Sequence, residues 1–308
     1  MTARQVDALV RQCELVAVRR GVYTPRATWD SLDEYVGRPR LRGRAVSRST
    51  RTPHVLSHDS AAHELGLPIL GRRDAPVHLT REGRTGSRLE HGVKHHVAPY
   101  RDDQVVVPDG VPVLGIARTA LDISRECGYL RGLVACDSAL QAGVTRRELW
   151  ATFEQMWCWP GSSAIRPAIA HADPRAKSVA ETLGRDLVRS LGIGDVEPQF
   201  ILSDGHRRVR CDLRVGRHIF EVDGRIKYRR PEQGGVAEKS PEQVLWEEKL
   251  RQDFIGGFHL GTSRIVWADY WEPQRERARS RLRREYEATV TRFGTDIADL
   301  SPYIVRAA

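Results

Sequence analysis

The chain has 308 residues, with 49 Lys and Arg against 40 Asp and Glu and a formal net charge of +9, a balance that suits a polyanionic partner, nucleic acid first. Five scattered cysteines (Cys13, Cys127, Cys136, Cys158 and Cys211) include no CxxC, which argues against a disulfide framework and against a zinc finger. Charges throughout the first sixteen residues, and no apolar run approaching ~18 residues, predict neither a signal peptide nor a membrane span, so a cytoplasmic protein is expected.

In chain order, Thr2 is a plausible N-cap for a short helix over 2–12 carrying Val6, Leu9 and Val10 at helical spacing. Residues 14–18 alternate like a strand, Arg19-Arg20-Gly21 makes a turn, and Val22-Tyr23 begins a returning strand. A helix followed by a basic hairpin is the second half of a winged helix, or any small helix-hairpin unit with an arginine turn. Arg4, Arg11, Arg19 and Arg20 are its candidate DNA contacts. From Gly37 to Arg51 six arginines occur without an acid; Arg38, Arg40, Arg42 and Arg44 suit a phosphate-tracking surface, and a solvated charged face is the plainer alternative.

Residues 55–70 predict a helix capped at Ser57, with Ala61, Ala62 and Leu65 inward and Gly66 as its stop. His58 and His63 lie five apart, which does not match the i, i+4 geometry of paired helical metal ligands, and read as core or surface histidines. Alternating runs at 77–79, 93–97 and 104–107 predict a small antiparallel sheet. Neither acid nor cysteine stands at ligand spacing beside His91, His95 and His96, so a metal centre is not expected from them. Helices follow at 115–123, 132–140 and 145–153.

The string ValArgGlnCysGluLeuValAlaValArgArgGlyValTyr (10–23) resembles the helix-and-wing signature of AbiEi-type antitoxins and related actinobacterial regulators. LeuSerHisAspSerAlaAlaHisGluLeuGlyLeuPro, AlaArgThrAlaLeuAspIle and AlaCysAspSerAlaLeuGlnAlaGlyVal resemble the middle region of that family. The resemblance implies DNA binding, a scaffold or regulatory middle domain and a cognate toxin or antitoxin partner. In that family one or two helices precede the wing, whereas this sequence starts almost at the recognition helix, so the expectation is a partial winged helix or a true start upstream.

Residues 156–176 read as an inter-domain connection. Ser178–Leu191 is an amphipathic helix with Val179, Leu183, Leu187 and Leu191 in one stripe. Strands follow at 200–202, 208–214 and 218–223, then a Pro- and Gly-rich loop at 229–242, a helix at 241–254, a strand at 264–267 and a charged helix at 272–293. Within 219–223 strand alternation puts Glu221 and Asp223 on one face. Like charges on one strand face need a cation, a metal or solvent to compensate them. One way to meet that need is pairing of Asp212 and Glu221 with Arg208, Arg210 or Arg217 across a solvent-facing sheet.

The α-β-β-β-α-β order, together with ValArgCysAspLeu around Asp212, PheGluValAspGlyArgIleLysTyr (220–228), LeuTrpGluGluLysLeuArgGlnAsp (245–253) and the IleValTrpAlaAsp strand, resembles PD-(D/E)XK nucleases, above all very-short-patch-repair-like endonuclease domains. That resemblance implies Mg²⁺ or Mn²⁺ held by Asp212, Glu221 and Asp223, with Glu181 on a metal-bound water. The motif's lysine position is occupied by Asp223, so the cation must come from Lys227 or Lys249. The expected architecture is multidomain, α+β and α/β. It comprises a partial winged helix-turn-helix (1–30), an AbiEi-like α+β middle domain (31–155), a linker (156–176), a restriction-endonuclease-like α/β domain (177–275) and a charged helix and tail (276–308). The expected activity is Mg²⁺-dependent DNA cleavage linked to phage defence or a toxin-antitoxin system, or else DNA binding by a catalytically inactive regulator.

Overall fold

Thr2 starts the first helix as its sequence predicts: its hydroxyl accepts the Gln5 N–H while the Gln5 side chain accepts the Thr2 N–H, a reciprocal capping box. The computed structural model describes residues 2–83, 86–223 and 241–305. It is a mixed α/β structure that divides into two units, Met1–Pro174 and Arg175–Ala308.

In the first unit, α1 (Ala3–Arg11) leads to an antiparallel hairpin of β1 (Leu15–Arg19) and β2 (Val22–Pro25), turned at Gly21 with φ 77°. Next come α2 (Arg26–Ser31) and α3 (Gly37–Ser49). The arginine run is therefore helical. Pro39 falls in the first turn of α3, where its missing N–H costs nothing. The Asp33 carboxylate accepts the N–H groups of Tyr35, Val36 and Gly37 just ahead of it.

A six-stranded sheet follows, from β3 (Val55–Leu56), β4 (Val77–Arg81), β5 (Arg88–Glu90), β6 (Val93–Val97), β7 (Val105–Val106) and β8 (Val113–Leu114). Its order is β5-β6-β4-β3-β8-β7. It is mixed rather than antiparallel as expected, with β4 parallel to β6 and β3 parallel to β8. The reason is that the chain turns back once through edge strand β5 before β6 reaches β4. Helix α4 (His58–Glu64) lies between β3 and β4 in sequence. Ser57 does not cap α4 through its side chain, because its hydroxyl is engaged with the His58 ring.

Helices α5 (Ile116–Cys127), α6 (Tyr129–Gln141), α7 (Arg146–Glu154) and α8 (Ile165–His171) enclose a second core. Met156, Ile165, Ala168, Ile169 and Ala172 are all buried in it. Residues 156–172 are thus part of this core instead of a linker, since their apolar side chains recur at helical spacing against α6.

The second unit begins with α9 (Val179–Arg189), capped by Ser178. Strands β9 (Glu197–Ser203), β10 (Arg208–Val215) and β11 (His218–Val222) form a meander, and α10 (Pro241–Gly257) crosses over to β12 (Gly261–Ile265), parallel to β11. The sheet order is β12-β11-β10-β9, and the element order α-β-β-β-α-β is as read. α11 (Gln274–Phe293) packs on this sheet, with Thr289 against His218, so residues 276–293 belong to the domain instead of forming a separate tail.

Candidate functional site

Strand β10 does not alternate regularly. Cys211 packs with Ile219 and Ile255 on the α10 side, whereas Leu213 lies under Gly184 of α9 on the other. Two residues apart on a regular strand, they would share a face. The switch falls at Asp212: the β9–β10 register omits the Gln199–Asp212 pair, and Gln199 has φ 59°. Asp212 consequently turns toward the neighbouring strand, and the Val222 N–H donates to its Oδ2 at 2.8 Å. A carboxylate here takes the place of a ladder carbonyl.

Continuing the β10–β11 register (Leu213↔Phe220) one step sets Asp212 opposite Glu221. Glu221 is largely buried, with 15% of its side chain exposed, and Arg251 Nη2 donates to its Oε1 at 2.7 Å and to the Arg210 carbonyl at 2.7 Å. Burial pushes the Glu221 carboxyl up to about 7; the Arg251 charge pulls against this and the Asp212 charge adds to it. Glu181, in the first turn of α9, accepts from the Lys177 N–H (2.9 Å), the Ser178 hydroxyl (3.3 Å) and Gln199 Nε2 (2.7 Å). Its carboxyl is raised by burial and, against these hydrogen bonds, by the charge of Asp212.

Gln199 Oε1 is buried and has no hydrogen-bond partner among the described residues. The Tyr270 hydroxyl donates to the Ala180 carbonyl at 2.9 Å. Burial raises its pKa, and so do the charges of Asp269, Asp212, Glu181 and Asp223. Glu181, Asp212, Glu221 and Asp223 thus share one neighbourhood, although no three of their ligand atoms come within 4.8 Å of one another among the described residues. Asp223 stays on the ladder through its N–H to the Ile265 carbonyl (2.8 Å).

The predicted cations fare differently. Lys227 lies outside the described residues, as does most of the 229–242 loop. Lys249 is exposed, its ammonium 6.0 Å from the Trp246 ring centroid; the cation at Glu221 is Arg251. Helical phase explains this. Arg251 and Glu248 lie four and seven residues before buried Ile255 on its face, whereas Lys249, six before it, turns away. That phase was legible. Gln199 had no such signal, because its role follows from a backbone irregularity. Arg217 pairs with Asp299 and the Phe258 and Asp296 carbonyls, and Arg208 and Arg210 are exposed, so of the alternative, ion pairing across the sheet, only the kind of partner is seen: Asp212 accepts the Val222 N–H and Glu221 pairs with Arg251.

In the first unit the proposed DNA contacts divide. Arg4, Arg11 and Arg20 are exposed. Arg40 and Arg44 instead hold Glu64, whose side chain is 0% exposed, at 3.1 and 2.9 Å, and also bond Asp109. Arg38 pairs with Glu34, and both Arg38 and Arg42 stack on Trp29. The i, i+4 spacing of Arg40 and Arg44 puts them on one helix face, above a buried acid. An open groove of about 740 Å³ has Arg19, Arg20 and Arg42 on its walls, with Val46 and Val77 among its lining.

Three histidines also meet in the first unit: His58, His78 and His96, all buried. Sequence spacing missed the group because each comes from a different element. No protein-family model, curated protein or solved structure matches this chain.

Proposed function

We propose that the second unit is a divalent-metal-dependent DNA endonuclease of the PD-(D/E)XK type, in a phage-defence or toxin-antitoxin setting. The observation that carries this reading is the meeting of Asp212 and Glu221 from adjacent strands, with Glu221 pushed up to about 7 by burial. A carboxyl so placed gains from a hard cation. The donor set fits one: carboxylate oxygens, with Gln199 Oε1, which has no partner among the described residues, beside Glu181, suit Mg²⁺ or Mn²⁺, which take one or two protein carboxylates and keep water.

Asp212 and Glu221 would hold the ion, with Asp223 directly or through water. When bound, the ion stabilises negative charge on phosphoryl and leaving oxygens and lowers the pKa of its water. Glu181 orients water through a carboxylate already fixed by three donors. The net charge of +9 and exposed Arg4, Arg11 and Arg20 favour a nucleic-acid substrate.

A second reading is a DNA-binding regulator of the AbiEi type without catalysis, associated with a cognate toxin. It is favoured by the Arg251–Glu221 ion pair, which already neutralises one proposed ligand, and by Lys249 facing away from the acids.

The test is plasmid cleavage with Mg²⁺ or Mn²⁺ against chelator, beside Asp212→Asn and Glu221→Gln. Asp212→Asn is preferable to alanine because its amide oxygen still accepts the Val222 N–H. Metal-dependent cleavage lost in both variants supports the nuclease. Salt-sensitive DNA retention with no cleavage in any metal sinks it and leaves the regulator.

A further inference from the structure

We propose that His58, His78 and His96 form a binding site for a borderline divalent transition ion, zinc in class, in the first unit. One ring nitrogen from each lies within 4.8 Å of the other two, and the residues are 1%, 5% and 3% exposed. This site is independent of the carboxylate cluster and of the reading drawn from it.

The fold builds the site from three elements. β4 and β6 are parallel with Thr80 opposite His96, so His78 and His96 are diagonal neighbours on one sheet face. His58 is the first residue of α4, which is tied to β4 by the Ser60 hydroxyl accepting the His78 N–H at 2.9 Å. His78 Nδ1 and His96 Nε2 are 2.8 Å apart. Bond lengths of about 2.0–2.1 Å to a tetrahedral ion would break the hydrogen bond between them, open that pair by roughly half an ångström and turn the rings, which stack with His58 and His96 centroids 3.9 Å apart at 17°, so that their in-plane lone pairs converge.

Two features point to a ligand. His58 Nε2 is buried with no partner among the described residues, and so is the hydroxyl of Thr80 on the same sheet face. Leaving a buried imidazole nitrogen unsatisfied is costly unless something binds it. The Ser57 hydroxyl contacts His58 Nδ1 at 2.9 Å, the supporting bond that leaves Nε2 as the donor atom. His58 is also held at φ 50°, a left-handed backbone uncommon outside glycine.

The chemistry of the donors selects the ion. Three imidazoles without a carboxylate suit Zn²⁺, Co²⁺ or Ni²⁺ and not the oxygen-seeking Mg²⁺ or Ca²⁺. Burial keeps the rings neutral, the form that coordinates. The nearby cations Arg118 and Arg125 both pair with buried Asp122, which limits their repulsion of a bound ion. Three protein ligands leave one position for water or a small anion.

The full chain, stripped with chelator and dialysed against Zn²⁺, is expected to retain about one equivalent by elemental analysis. His58→Ala and His96→Ala should lose it. His91→Ala, and the double variant Asp212→Asn/Glu221→Gln, should keep it, which separates this site from the carboxylates. Co²⁺ substituted into the wild type should give a nitrogen-ligated visible spectrum without thiolate charge transfer, a readout that needs no variant to fold. Failure of the wild type to retain Zn²⁺ or Co²⁺, retention unchanged in His58→Ala, or loss in the Asp212/Glu221 variant would overturn the assignment.

Discussion

His218 holds its ring between Thr289 Oγ1 (2.7 Å) and Ser263 Oγ (2.8 Å), and burial lowers its pKa to about 4. In the unfolded chain a histidine takes up its proton near 6.5. As pH falls from about 6.5 to about 4, the unfolded state therefore binds more protons than the folded one, and stability is lost by on the order of 3 kcal/mol from this group. The melting temperature of the wild type should drop from pH 7 to pH 5, and the curve of His218→Gln should be shallower over that window; parallel curves would refute the assignment. Gly184 is a second single-residue dependence. A Cβ there would stand 2.7 Å from Val222 Cγ2, a β-branched group with little freedom to move. Gly184→Ala should cost about 1–3 kcal/mol in denaturant unfolding despite its gain in helix propensity. Most of these contacts are invisible in sequence. Strand alternation singled out Glu221 and Asp223, and Asp212 came from the resemblance to the nuclease motif; the phase of α10 that brings Arg251 to Glu221 was there to be read, whereas Gln199 entered only through the irregular backbone.

At the scale of the element, α3 shows how a charge run misleads. Six arginines in 37–51 read as one phosphate-tracking surface, but period 3.6 divides them, and Arg40 and Arg44 point at Glu64. Arg44→Ala should destabilise the protein by about 2–4 kcal/mol, because it strips a partner from a buried carboxylate. Arg20→Ala, at the exposed hairpin turn, should change stability by less than ~0.5 kcal/mol. If the chain binds DNA as proposed, the substitution should instead weaken that binding and reduce the salt dependence of the affinity by about one counterion. Chemical denaturation and binding titrations at several salt concentrations separate the two outcomes, and equal stability loss in both variants would contradict the division. Opposite Glu221, Arg251 and Ile255 share a face of α10, so one helix supplies both the apolar contact and the guanidinium.

At the scale of the whole molecule, two units with separate cores replace the expected five segments. The α-β-β-β-α-β order of the second unit was readable from the apolar stripe of α9, the alternation of β10 and the Asp204-Gly205 turn, although α10 itself has almost no apolar face. Its limits were not, because α11 is so rich in arginine and glutamate that its buried stripe, Ala278, Leu282, Tyr286 and Thr289, is sparse. Residues 156–172 were misread for a related reason: tryptophan, proline and glycine near 157–161 look like a connection, and only the packing against α6 shows otherwise. The segment 175–308, expressed alone, should unfold cooperatively in far-UV circular dichroism, and truncation at 275 should abolish that transition by removing Leu282 and Thr289 from the sheet. A cooperative melt in the truncated form would show that α11 is dispensable.

The hydrogen bond from Val222 to Asp212 makes the end of a strand answerable to one carboxylate. Whatever draws Asp212 toward a ligand strains or releases that amide, whereas the neighbouring Asp223 N–H stays fixed to Ile265. If the carboxylate cluster holds an ion as proposed, the Val222 amide is a built-in reporter, and its hydrogen-exchange rate, compared with that of Asp223, should change on adding Mg²⁺ or Mn²⁺ without any assay of cleavage.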